Sequence, residues 1–265
     1  MEEDWLESQG RNSFNSPAEQ YERCPKGISI KDYSLFKEPL TTRFLADNLH
    51  TYWLVYMKSI QMQHESKTKF LNSALHVIRA KGYTATRVED ICEAAELTKG
   101  SFFHHFSSKE DMVLSAAEHW NTVTGGFFAT APYRSMADPL ERLLAYIEFR
   151  KALLQGDLPD FTCFVGTMVQ EVYGTHPSIR EACEQSITSH ASTLEPDIAE
   201  AIKKYGIVAD WTPTSLALYT QAVIQGAFIL AKAKEGPEVA AACLDHLRRY
   251  FEMLFTPPRA KEKTS

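Results

Sequence analysis

Residues Thr86–Val113 read TRVEDICEAAELTKGSFFHHFSSKEDMV, and three helix starts crowd into this one stretch. Thr86-Arg87-Val88-Glu89 has the form of a capping box, in which a hydroxyl and a carboxylate satisfy the free N–H groups of a new helix. Val88, Ile91 and Ala95 then fall on one apolar side, and that helix ends near Ala95-Glu96. Thr98 caps a short helix over Lys99–His105, and Ser108 caps a further one with Asp111 at the matching position. In the latter, Met112, Val113, Ala116 and Trp120 are spaced for burial. Upstream, SKTKFLNSALHVIRAKGY places Phe70, Leu71, Ala74, Leu75, Val77 and Ile78 on one helical face and closes on Lys81-Gly82. Four helices in about fifty residues, joined by short turns and with no strand signal, predict a compact helix-turn-helix unit.

The chain around this unit has 265 residues, 44% apolar and 23% charged, enough to bury a sizeable core. No apolar run reaches the ~18 residues of a membrane span. The first twenty residues, MEEDWLESQGRNSFNSPAEQ, are acidic and polar and do not read as a secretory signal. Cys24, Cys92, Cys163, Cys183 and Cys243 are odd in number and widely spaced with no CxxC pair, so neither a disulfide framework nor a zinc site is expected. A reduced cytoplasm fits. Net charge is −6, yet the window 66–109 carries +3 and the rest −9. A basic module on an acidic body can still be steered to phosphates.

The expected organisation is an irregular extension over 1–62, a helix-turn-helix domain over 63–110, a helical domain over 111–256, and a basic, unstructured tail over 257–265. The extension ends in the aromatic run HTYWLVYMK and reads either as a poorly ordered tail or as sequence upstream of a misassigned start, since Met57 and Met62 precede the first regular helix. In the second domain, helices are expected over Leu140–Leu154, Phe161–Tyr173, Pro177–Glu195, a segment from Pro196 to Tyr205, Thr214–Ala233 and Pro237–Phe255. The last carries a stripe of Ala240, Cys243, Leu244, Leu247, Tyr250, Phe251 and Leu254, wider than one neighbour needs. The fold class is all-α.

Chemistry narrows on LTKGSFFHHF. Adjacent His104 and His105 point about 100° apart on a helix and cannot chelate one ion together. Ser101 has no oriented base behind it, so nucleophilic catalysis is not supported. DNA contact uses all of these residues at once. Gly100 and Ser101 leave the first helical turn free of bulk, Thr98, Ser101 and His104 can donate to phosphates or base edges, and Lys99 and Lys109 add charge. Phe102 and Phe106, four apart, should anchor the helix inward and leave Phe103 and His104 outward.

The whole stretch resembles the DNA-binding signature of tetracycline-repressor (TetR) family regulators, over about fifty residues. The resemblance implies Thr86 and Arg87 at backbone or groove edge, Thr98, Lys99, Gly100 and Ser101 at the groove, Phe103 and His104 against backbone and bases, and Lys109 on a phosphate. Two residues depart from the family's pattern: Phe103 stands where tyrosine is usual, and Glu96 where glycine is favoured. The family further implies an all-helical effector-binding domain and a homodimer through the last two long helices, in keeping with their wide stripes. Ala222, Gly226, Leu247 and Phe251 are the expected interface. Partners are then double-stranded DNA at a palindromic operator, a small-molecule effector and a second copy of the chain, with no membrane, no metal and no cofactor.

The effector region is expected around FTCFVGTMVQEVYG, with Phe161, Cys163, Phe164, Thr167, Met168, Gln170 and Glu171 lining a largely apolar site. Cys163 reads either as inert packing or, by resemblance to TetR-like repressors with a cysteine ahead of a Gln-Glu pair, as a thiol sensing electrophiles. The competing class is a helical-bundle enzyme or redox protein using Cys163 with Glu171 and His176 or His190. No nucleophile–base spacing supports it, so the chain reads as a regulator and not as an enzyme.

Overall fold

The computed structural model describes residues 65–256, so the expectations for 1–62 and for the tail 257–265 lie outside the described residues. These residues belong to one unit of the chain, 41–265. They form helices joined by short turns: α1 (Glu65–Lys81), α2 (Val88–Ala95), α3 (Lys99–His105), α4 (Lys109–Ala129), α5 (Pro139–Ala152), α6 (Leu158–Phe161), α7 (Phe164–Val172), α8 (Pro177–Ser192), α9 (Glu195–Tyr205), α10 (Pro213–Lys234) and α11 (Glu238–Leu254). A single 3₁₀ turn, Pro132–Ser135, separates α4 from α5. No strand occurs among the described residues.

Several starts follow directly from side chains. Thr98 Oγ1 accepts from the Ser101 N–H at 3.2 Å, and Ser108 Oγ accepts from the Asp111 N–H at 3.0 Å. The Asp111 carboxylate returns the favour by accepting from the Ser107 N–H at 2.8 Å. Asp138 Oδ1 accepts from the Glu141 N–H at 3.0 Å, with Pro139 opening α5.

The expected box at α2 is displaced by one residue. Thr86 is 1% exposed and its hydroxyl donates to the Gly82 carbonyl at 2.6 Å, closing the preceding turn. Asp90, not Glu89, reaches back to accept from the Arg87 N–H at 2.8 Å. That N–H and then the Arg87 guanidinium hold the Asp90 carboxyl down to about 2.

The expected single helix over Phe161–Tyr173 is broken. Thr162 and Cys163 have extended backbone, so α6 ends and α7 begins across them, and Cys163 Sγ accepts from the Gly166 N–H at 3.4 Å as the N-cap of α7. Uniform apolarity gave no 3.6-residue phase by which to see that break.

Two cores form. The first holds Phe70, Ile78, Ile91, Phe102, Phe106 and Met112 from α1–α4, and takes in Phe164, Met168 and Val172 of α7 with Ile179 and Cys183 of α8. The second holds Phe127, Phe128, Tyr146, Phe149, Phe161, Phe228, Leu247 and Phe251, drawn from α4, α5, α6, α10 and α11. The expected division at 110/111 falls inside α4, which runs unbroken for about 30 Å from one core into the other. Helix α10 is long and apolar enough to cross a membrane by length and composition, and its buried side packs within the second core.

Candidate nucleic-acid interface

Helix α3 turns Phe102 inward and Phe103 outward. Phe102 is fully buried with its ring 5.5 Å from that of Phe70 and 5.3 Å from that of Phe106. Phe103 is 56% exposed, and Thr98, Lys99, Gly100 and His104 are exposed beside it, with Ser101 half-buried. His105, on the inner edge, has its Nε2 2.7 Å from Ser66 Oγ. The outward face therefore presents a run of small and polar groups at the first turn of a helix, where the backbone can approach another surface.

Gly100 in particular has no internal reason to be glycine. A Cβ there would meet only Thr98 Oγ1, at 3.7 Å. Gly82 is the opposite case: its φ is +84°, and a Cβ would run into the Glu171 carboxylate.

The charged groups around this face are engaged but exposed. Lys99 pairs with Glu89 across the α2–α3 turn, and Arg87 pairs with Asp90 at 3.3 Å. The Lys99–Glu89 pair, exposed on both sides, exchanges readily for another anion, whereas Asp90 is largely covered and also pairs with Lys81. Lys109 is placed otherwise than expected. Its Nζ donates to the carbonyls of Tyr83 and Thr86, both at 2.9 Å, and stands 4.1 Å from the centre of the Tyr83 ring. Burial lowers its pKa, with Glu171 opposing. Lys109 thus clamps the α1–α2 turn, and Thr86 lies under that turn.

Glu96 has φ +56°, with its N–H on the Glu93 carbonyl at 3.0 Å, so the side chain at this turn is held in the left-handed region. A non-glycine residue there costs about 1–2 kcal/mol, part of which glycine's greater chain entropy cancels. Glu96→Gly should therefore stabilise the fold by ~1 kcal/mol and raise Tm by about 2–4 °C. Thermal denaturation followed by circular dichroism checks this, and a lowered Tm would show that the carboxylate makes a compensating contact.

The residues expected at the effector site do not converge. Phe161 belongs to the second core, its ring 6.3 Å from that of Phe228. Phe164 and Met168 face the first core, with the Phe164 ring 6.2 Å from Trp120. Thr167 Oγ1 accepts from Lys232 Nζ at 2.7 Å. Gln170 is exposed and its Nε2 donates to the Gly166 carbonyl at 2.7 Å. Glu171 lies over the end of α1, accepting from the N–H groups of Tyr83 at 3.2 Å and Thr84 at 3.0 Å.

A second polar tie lies beside it. The Arg79 guanidinium donates to the carbonyls of Asp160 and Thr162 at 3.2 and 3.3 Å, and burial pushes its pKa down to about 10. Sequence reasoning missed both ties; the glycine at 82 beside the first is called for by its φ of +84°.

The expected interface also needs correction. Leu247 and Phe251 are 2% and 1% exposed, buried in the chain's own second core. The stripe on α11 is wide because its inner part packs on α5 and α10. What remains outside is Leu218, Tyr219, Ala222, Ile229 and Leu230 on α10, and Tyr250 and Met253 on α11. The Tyr219 and Tyr250 rings, 5.0 Å apart, join the two rows into one patch. Gly226 is on this side too, where a Cβ would meet nothing within 4 Å.

Comparison with known proteins places this geometry. Residues 70–116 match the model for bacterial regulatory proteins of the tetR family, and residues 139–247 match the tetracyclin repressor-like C-terminal domain. An HTH-type transcriptional regulator in the lacX 3′ region of Lactococcus lactis subsp. lactis is 25% identical over 189 residues, covering 71% of this chain and 93% of its own. The crystal structure of regulatory protein TetR from Rhodobacter sphaeroides superposes with a TM-score of 0.64 at 23% identity, covering 71% of this chain and 99% of that one. The TetR family regulator CifR, solved with 26-bp double-strand operator DNA, superposes with a TM-score of 0.59 at 18% identity, covering 71% of this chain and 95% of that one.

Proposed function

The chain belongs to the tetR family of bacterial regulatory proteins, and from that premise we propose that it is a homodimeric, DNA-binding repressor acting in the cytoplasm and released from a palindromic operator by an effector. The observation that carries this reading is the outward face of α3, where Gly100 serves no internal need and Thr98, Lys99, Ser101, Phe103 and His104 stand together. Arg87 flanks that face at the start of α2. Thr86 and Lys109 support it from behind by fixing the turn between α1 and α2.

The apolar patch on α10 and α11 supplies the symmetry. Contiguous exposed apolar surface marks an association site, and a two-fold pairing there gives two recognition helices. Their half-sites then lie one helical turn apart, about 34–36 Å. Effector release needs a ligand that favours one spacing of those helices over the other. Helix α4, shared by both cores, and the ties from Glu171 and Arg79 to α1 are the elements through which a change in the second core reaches the reading head. The thiol of Cys163 at the N-cap of α7 lies within this joint, and labelling the native dimer with an electrophile tells whether release requires its modification.

Gly100→Leu tests the reading directly. The open space at Gly100 lets the fold and the dimer persist, whereas the added side chain blocks groove approach in both half-sites. Losing about one base contact's worth in each half-site, ~2–6 kcal/mol together, predicts a drop in operator affinity of roughly one and a half to four orders of magnitude. A gel-shift titration on the neighbouring intergenic DNA measures it. Unchanged affinity in a folded variant would remove α3 as the reading helix.

A further inference from the structure

Eight arginines occur among the described residues, and seven of them hold a hydrogen bond or ion pair. Arg150, on α5 inside the second domain, holds neither. Its guanidinium carbon stands 5.1 Å from the centre of the Phe128 ring and 5.7 Å from that of Phe228, rings that belong to the second core. No acid among the described residues pairs with it. Arg150 is half-buried, so its stem and one guanidinium face lie on the rings while its N–H donors stay open to an anion.

The polar groups one turn away are arranged as a set. Tyr146, buried on the same face of α5, has its hydroxyl 3.1 Å from His190 Nε2 and accepts from Gln221 Nε2 at 3.4 Å. The His190 ring lies 4.7 Å from that of Phe128. Burial first, then Arg150 and Arg134, pushes the His190 pKa down to about 3, so the ring is neutral at working pH. With Arg134 paired to Asp197, the site offers one unpaired positive charge, a neutral imidazole, a phenol and a carboxamide against aromatic walls.

We propose that Arg150 anchors the carboxylate of a small organic acid whose apolar part lies against Phe128 and Phe228. Ring faces on the planar guanidinium fix its orientation without using its N–H donors, which leaves the fork free for bidentate pairing. One arginine beside neutral partners suits a monoanion. A phosphate dianion would leave a net negative charge in the core. The proposal rests on the effector-controlled repressor reading and names the ligand class for it. It also gives the signal a path, because Phe128 is in the last turn of α4 and Lys109 in the first.

Thermal denaturation and calorimetry with benzoate and octanoate, set against benzamide and octanol, test this on the full chain. At least one acid should stabilise the wild type saturably, and its uncharged counterpart should not. Arg150→Met, which keeps stem volume between the rings, should weaken that acid roughly tenfold or more, and Arg150→Lys should fall between. Circular dichroism and sedimentation establish that each variant is folded. Equal response to acids and uncharged counterparts, an Arg150→Met variant that responds like the wild type, or no response to either acid overturns the proposal. Phenyl phosphate binding better than benzoate would overturn the monoanion assignment. A gel shift separates the two readings: an acid that binds through Arg150 without releasing DNA sinks the effector role and leaves the site standing.

Discussion

Replacing Ile229 and Leu230 together with aspartate should give a folded monomer whose operator affinity is lower by about two to four orders of magnitude. Both side chains lie on the outer face of α10, 46% and 44% exposed, in the patch that Tyr219 and Tyr250 carry across to α11. Charges there meet water in the monomer, so the fold tolerates them. In the dimer they face their symmetry mates across a desolvated surface, where like charges repel and are unpaired. With the dimer gone, the second half-site no longer binds as an intramolecular event, which is the source of the affinity loss. Sedimentation velocity reads the assembly, circular dichroism the fold, and a gel shift the binding. Leu247→Asp is the control with the opposite signature: its side chain is 2% exposed, so a buried, unpaired carboxylate should unfold the second domain rather than divide the dimer. A double aspartate variant that stays dimeric would move the interface to another face.

Those two outcomes show what periodicity in α11 conveyed and what it did not. An apolar stripe tells that a helix has one buried side, but not whether its neighbour is the same chain or another. Leu247 and Tyr250 sit in one run of sequence, and only the packing of α5 and α10 divides them into core and surface. Where local chemistry decides the outcome, the sequence was explicit at most helix starts, the box expected at Thr86 excepted. The caps at Thr98 and Ser108 need one side-chain oxygen and one backbone N–H three residues on, and both form as expected. The exposed residues of α3 were legible for the same reason, since a seven-residue helix with two anchoring phenylalanines has only one way to face. Long-range polar ties were not legible. Nothing near Glu171 in sequence points to Tyr83 and Thr84, and nothing near Lys109 points to the carbonyls it holds. Nothing in the sequence around Arg150 sets it apart, and only the absence of a paired acid among the described residues, with rings on its guanidinium, marks it out.

Phe102→Ala should destabilise the reading head by about 3–5 kcal/mol, while Phe103→Ala, one residue along, should change stability by less than ~0.5 kcal/mol. Phe102 is fully buried between α1 and α3, edge-on to Phe70 with an interplanar angle of 84° and 5.3 Å from Phe106. Removing it leaves a cavity that the short helices α2 and α3 cannot readily close, because Asp90 and Thr98 fix their starts. Phe103 lies largely in water, so its loss removes little from the folded state. The second core takes no side chain from α1, α2 or α3. The loss in Phe102→Ala should therefore appear as separate, earlier melting of the reading head, with α5, α10, α11 and the dimer intact. Hydrogen exchange resolves this by region: amides of α1–α3 should lose protection, and those of α5, α10 and α11 should keep it. Operator binding should fall with the first transition. If both phenylalanines were equally dispensable to stability, the inward anchoring of α3 would be wrong, and with it the direction in which its polar face points.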